Sequence, residues 1–68
     1  MKKPYEIGNT LIDLDAVIYL HHRIDPYTNI LYIDMYLAPD ESHAFPLGMD
    51  IEKGMAEYEK IKQRILGK

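Results

Sequence analysis

The side chains of this chain that could carry out chemistry are its histidines and the carboxylates near them. His21 and His22 are adjacent, His43 lies further along, and Asp34 and Asp40-Glu41 supply carboxylates. Imidazole and carboxylate groups are ligands for zinc, and they also act as general acids and bases. These residue types are therefore typical of two kinds of site, a metal centre and an acid–base site.

The predicted strands that carry these groups do not bring them together into either kind of site within one subunit. Adjacent residues of a strand point to opposite faces of a sheet, so the side chains of His21 and His22 lie on opposite faces. His21 and Asp34 are then a cross-strand pair on a sheet surface. We expect no catalytic residues, no metal ligands and no cofactor. A small enzyme or metal-binding protein with its site at a dimer interface stays open as an alternative.

The turn Asp25-Pro26-Tyr27-Thr28-Asn29 sets the register of the longest predicted hairpin. Asp suits the opening position of a type I turn, Pro the next position, and Asn can adopt the left-handed conformation that closes the loop. When the loop closes between Asp25 and Ile30, Ile24 pairs with Leu31. Each further step of one residue along both strands gives the next cross-strand pair. A one-residue slip would place apolar side chains opposite aspartates, which is unfavourable.

This register gives the hairpin two different faces, and both are rich in apolar or aromatic residues. One face carries Ile18, Leu20, Ile33 and Met35, and we expect the helix to cover it. The other face carries the residues that we predict to form an interface: Val17, Tyr19, His21, Arg23, Tyr32, Asp34 and Tyr36. Tyrosine and arginine on an exposed patch are typical of protein–protein interfaces.

The remaining elements follow from turn and capping residues. Gly8-Asn9 suits a tight hairpin turn, and Asp50 suits the N-cap of an amphipathic helix. We predict one domain over residues 1–68, with strands at about 4–7, 10–24 and 30–38 and a helix at about 50–66. The fold is α+β, a three-stranded antiparallel β-meander (β-β-β-α) with the C-terminal helix packed on one sheet face. The stretch from Asp40 to Gly48 is a connector anchored by Phe45.

The length and the cysteine count favour association with another chain. A 68-residue domain buries a small core, and this chain has no cysteine with which to form a disulfide. A partner subunit is the usual remaining source of stability, so we expect a homodimer. The absence of cysteine and of any long apolar stretch favours a cytoplasmic protein that does not bind membranes.

The charge distribution bears on the kind of partner. The net charge is −3, and between Thr10 and Glu52 eight acidic residues face a single basic one, Arg23. An acidic surface repels phosphate backbones, so nucleic acid is not an expected partner. The sequence favours a small non-enzymatic interaction module that self-associates through the tyrosine-bearing sheet face or a sheet edge, with an unidentified protein as a further partner. An acidic inhibitor or mimic that docks on a basic partner is the alternative.

Overall fold

The computed structural model describes residues 2–67 as five strands, a short 3₁₀-helix and one α-helix. In chain order these are β1 (Pro4–Ile7), β2 (Thr10–Asp13), the 3₁₀-helix (Leu14–Ala16), β3 (Val17–Ile24), β4 (Leu31–Leu37), β5 (Glu41–Pro46) and α1 (Ile51–Ile65). No helix in the described residues is long and apolar enough to cross a membrane.

The strands form two antiparallel sheets. β1 and β2 pair as a two-stranded hairpin, and β3, β4 and β5 form a three-stranded sheet with β4 in the middle. Helix α1 packs on the three-stranded sheet and contacts β3 and β4. The predicted α+β class, with a three-stranded antiparallel sheet and a C-terminal helix on one face, is therefore confirmed.

The prediction of one strand over residues 10–24 is wrong. β2 ends at Asp13, and the chain turns through the 3₁₀-helix before β3 begins. The Asp13 carboxylate accepts a hydrogen bond from the backbone N–H of Asp15 at 3.0 Å. Such local side-chain acceptors compete with the strand ladder. The first hairpin therefore forms its own sheet, in which Tyr5 pairs with Ile12.

The predicted connector after Asp40 contains the third strand of the main sheet. β5 pairs antiparallel with β4, placing Phe45 opposite Ile33 and Ala44 opposite Asp34. Phe45 is buried in the core. Its burial, together with the alternation of side chains along the strand, explains why this segment adds to the sheet.

The predicted register of the β3–β4 hairpin is confirmed from Ile24–Leu31 to Tyr19–Tyr36. The Asp25 carboxylate accepts from the N–H groups of Tyr27 at 2.8 Å and Thr28 at 3.3 Å. Asn29 adopts a φ of 60°, the left-handed conformation expected of it. The turn chemistry and the strand pairing thus agree.

At the start of β3 the register shifts, and two predicted positions change. Leu37 pairs with Val17 rather than with Ile18, so Ile18 occupies a β-bulge. Ile18 is 69% exposed, so the prediction that it lies on the face covered by the helix is wrong. Val17 packs against the core, not on the tyrosine-bearing face.

A single core lies between α1, the main sheet and the β1–β2 hairpin. Its buried apolar residues come from every element except β3: Ile7, Ile12, Leu14, Leu31, Ile33, Met35, Leu37, Phe45 and Ile61. Asp50 caps the helix by accepting from the N–H of Lys53 at 3.1 Å, as predicted. Leu66 lies beyond the last helical residue, Ile65, and is 58% exposed.

The hairpin is tied to the helix by a side-chain hydrogen bond. The Tyr5 hydroxyl donates to the Glu57 carboxylate, and the Lys3 ammonium donates to the backbone carbonyl of Arg64 at 3.3 Å. Burial, the hydrogen bond and the charge of Glu57 raise the pKa of Tyr5 to about 12. This contact holds the small sheet against the side of α1.

Candidate interaction surface

The face of the main sheet opposite α1 is uncovered by any other element in the described part of the chain. The pairing of the strands arranges its side chains in three cross-strand rows. From the β3 start to the hairpin turn, the rows are Tyr19–Tyr36–Ser42, His21–Asp34–Ala44 and Arg23–Tyr32–Pro46. We call these nine residues the open face.

A charged cluster occupies the half of the open face nearest the turn. Arg23 Nε donates to Asp34 Oδ2 at 2.8 Å, and the Arg23 guanidinium lies 4.5 Å from the centre of the Tyr32 ring. His21 Nδ1 lies 3.5 Å from the same Asp34 oxygen. The Asp34 carboxylate is thus paired with the Arg23 guanidinium. This pairing lowers the desolvation cost of burying this part of the open face against a partner.

An aromatic cluster occupies the other half. The rings of Tyr19 and Tyr36 lie 5.4 Å apart and are tilted by 55°, and the Tyr19 ring lies 6.2 Å from that of His21. Tyr19 and Tyr36 are each 53% exposed. Such rings offer a rigid apolar contact area with a polar rim, which suits a protein partner.

The structure therefore brings together six of the seven predicted interface residues. Tyr19, His21, Arg23, Asp34 and Tyr36 line one shallow depression of about 550 Å³. Tyr32 borders it through its contact with Arg23. Val17 is the exception, because the bulge turns it toward the core.

The sequence reasoning missed the contribution of β5. Ser42, His43 and Ala44 complete the rim of the depression. His43 also contacts the Glu41 carboxylate and stacks on Phe45, with 5.5 Å between ring centres. The alternation of His43 and Phe45 with Ser42 and Ala44 was the signal that could have revealed this strand.

The histidines are dispersed over different surroundings. The His22 ring meets the Tyr58 ring of α1 edge-on, with 4.6 Å between ring centres, so His22 lies at the margin of the helix. His21 lies on the open face and His43 on β5. Within residues 2–67, no group of three histidine or carboxylate side chains is placed to hold a metal ion.

A second uncovered feature borders the open face along β3. β3 is an edge strand, and the residues from His21 to Ile24 are all exposed. Beside it, on the helix side, an apolar groove of about 250 Å³ separates β3 from the second half of α1. β3 is therefore accessible both on its open face and along its edge.

No protein-family model, no curated protein and no solved structure matches this chain.

Proposed function

We propose that the protein is a small non-enzymatic interaction module that associates with a second copy of itself. The observation that carries this proposal is the double exposure of β3: among residues 2–67, no layer covers its open face and no strand pairs with its outer edge. Its exposed side chains include Ile18, Tyr19 and Ile24. A domain of this size gains stability by covering such a strand.

The composition of the open face supports a protein partner. It combines exposed tyrosines with an arginine whose charge is matched by Asp34. Tyrosine and arginine are the residues most enriched where interfaces are strongest. A neutral, aromatic face also favours a like surface, since two copies do not repel each other across it.

The alternative of an acidic inhibitor or mimic draws less support from the geometry. Asp15 pairs with Lys3, Asp34 with Arg23, and Glu41 with His43. These carboxylates belong to different elements and already have basic neighbours. An acidic mimic needs instead a continuous array of unmatched negative charge.

The proposal is tested by measuring the oligomeric state and the melting temperature as functions of concentration. We expect sedimentation equilibrium to give a monomer–dimer equilibrium, and the melting temperature to rise with concentration because only folded chains associate. Tyr19→Ala should shift the equilibrium toward monomer. Met49→Ala is the matched control, because Met49 is exposed in the loop before α1.

A monomer at millimolar concentration, with a melting temperature independent of concentration, would overturn self-association. If the protein captured a basic partner with an affinity that falls steeply with salt, the acidic-mimic alternative would replace it. A bound metal in the purified protein would favour the alternative of a metal site at an interface.

A further inference from the structure

The backbone of β3 offers hydrogen-bonding groups at regular intervals along its free edge. Asp25 N–H donates to the carbonyl of Ile30 at 3.0 Å, so the N–H of Asp25 points toward the strand that continues as β4 and the pair occupies a hydrogen-bonded position. In an antiparallel ladder such pairs alternate along the strand. The N–H and C=O groups of Leu20, His22 and Ile24 therefore point away from β4, toward the free edge.

The apolar groove runs beside this edge and belongs to the same surface. It is lined by Val17, Ile18, Tyr19, Leu20, Tyr58, Lys62, Ile65 and Leu66. The end of α1 thus lies beside the start of β3, while Tyr58 contacts His22 further along the strand. Helix and strand run in opposite directions, and the groove opens at the start of β3.

Charge and shape differ between the two ends of β3. The start of the strand has the groove and Lys62, with the exposed side chains of Ile18 and Leu66. The other end has the exposed Ile24 and then the carboxylate of Asp25. One end therefore complements the other, both in charge and in apolar contact.

From this complementarity we infer that the free edge of β3 pairs antiparallel with β3 of a second copy, giving a continuous six-stranded sheet. The inference rests on the proposed self-association and specifies which surface carries it. Antiparallel pairing about a twofold axis places the Asp25 end of each strand beside the Lys62 end of the other. Each contact occurs twice, as symmetry requires.

The outward backbone groups also indicate the register of this pairing. Leu20 of one copy and His22 of the other exchange both of their hydrogen bonds when the axis passes through His21. This register sets Ile24 against Ile18 of the second copy and so covers both exposed isoleucines. Moving the axis to Leu20 would leave Ile24 opposite Ala16, with less apolar contact.

A single cysteine tests the position of the axis, because the natural chain has none. Two His21 residues facing each other at the axis form a non-hydrogen-bonded pair, with about 4.5 Å between α-carbons. Disulfides span this distance. We therefore expect the His21→Cys variant to form a covalent dimer on mild oxidation. Ala44→Cys, on the exposed outer strand β5, is the matched control and should stay monomeric under denaturing conditions.

A second variant tests the edge without a cross-link. The His22 N–H points outward, so His22→Pro removes a donor of the free edge and leaves the β3–β4 ladder intact. We expect loss of the dimer in sedimentation equilibrium, with the helix signal in circular dichroism retained. Should this variant fail to fold, Ile24→Lys, which places a charge opposite Ile18 of the second copy, replaces it and should likewise give a monomer.

The outcomes separate this inference from the self-association on which it rests. A dimer that cross-links through position 44 but not through position 21, or through neither, keeps self-association and overturns pairing at β3. A monomer under all conditions overturns both. If the His21→Cys variant cross-links and His22→Pro is monomeric, the edge pairing stands.

Discussion

Gly54 of helix α1 packs directly against Leu31 of β4. A β-carbon at position 54 would lie 2.4 Å from Cδ2 of Leu31, a side chain that is fully buried. We expect Gly54→Ala to lower the free energy of unfolding by about 1 kcal/mol. The overpacking, roughly 1–3 kcal/mol, outweighs the gain of about 1 kcal/mol in helix propensity. Urea denaturation measures the change.

A double-mutant cycle isolates the contact between these two residues. In a Leu31→Val background the obstructing methyl is gone, and the same Gly54→Ala change should then stabilise the protein through helix propensity. A loss of stability in that background would show that the contact with Leu31 is not the cause.

The Tyr5–Glu57 hydrogen bond predicts a stability change at high pH. The pKa of Tyr5 is raised from 10.0 to about 12, so the folded state favours the neutral phenol. Its contribution to stability is fully present below about pH 10 and is lost as the pH rises through about 12. Absorbance of the phenolate should show one late-titrating tyrosine, which Tyr5→Phe removes. A titration unchanged by that substitution would contradict the assignment.

The turn between β3 and β4 depends on one carboxylate. Asp25 accepts from the N–H groups of Tyr27 and Thr28. Asp25→Ala should lower the free energy of unfolding by about 1 kcal/mol, because both exposed donors return to water. Asp40→Ala, at an exposed position between β4 and β5, serves as the control and should change it by less than about 0.5 kcal/mol. Equal losses in the two variants would show that the Asp25 bonds add nothing.

The aromatic pair on the open face predicts a measurable coupling. The rings of Tyr19 and Tyr36 lie 5.4 Å apart on facing strands. Replacing each by Ala, singly and together, should give a coupling of about 0.5–1 kcal/mol in chemical denaturation. The cycle of Tyr19 with Tyr32 is the control, since Tyr32 contacts Arg23 instead. A coupling as large in the control would mean that the ring contact is not its source.

The sequence was sufficient to predict the register of the main hairpin. Asp25 and Asn29 act through local backbone chemistry, and the alternation of apolar residues selects the same pairing. The start of the helix followed in the same way from the Asp50 cap. Where local turn or capping chemistry and the hydrophobic pattern agree, the structure follows the sequence.

The prediction failed where tertiary contacts override local preference. Half of the residues of β5 are polar, and its pairing with β4 and the burial of Phe45 make it a strand. The bulge at Ile18 has no signal in an alternating apolar pattern, because Ile18 suits either face of the sheet. The open face was therefore predicted correctly in β3 and β4, except for Val17, and without its β5 row.

The bulge has a consequence for how this chain tolerates changes in length. Val17 pairs with Leu37 and Tyr19 pairs with Tyr36, so Ile18 is the residue without a partner on β4. Deleting Ile18 would join two segments whose pairing with β4 is already consecutive. Every other side chain of β3 would therefore stay on its face of the sheet. Removing Leu20 instead would reverse the inward and outward positions of its neighbours. Within β3, Ile18 is the place where a single-residue deletion leaves the pattern of the sheet unchanged.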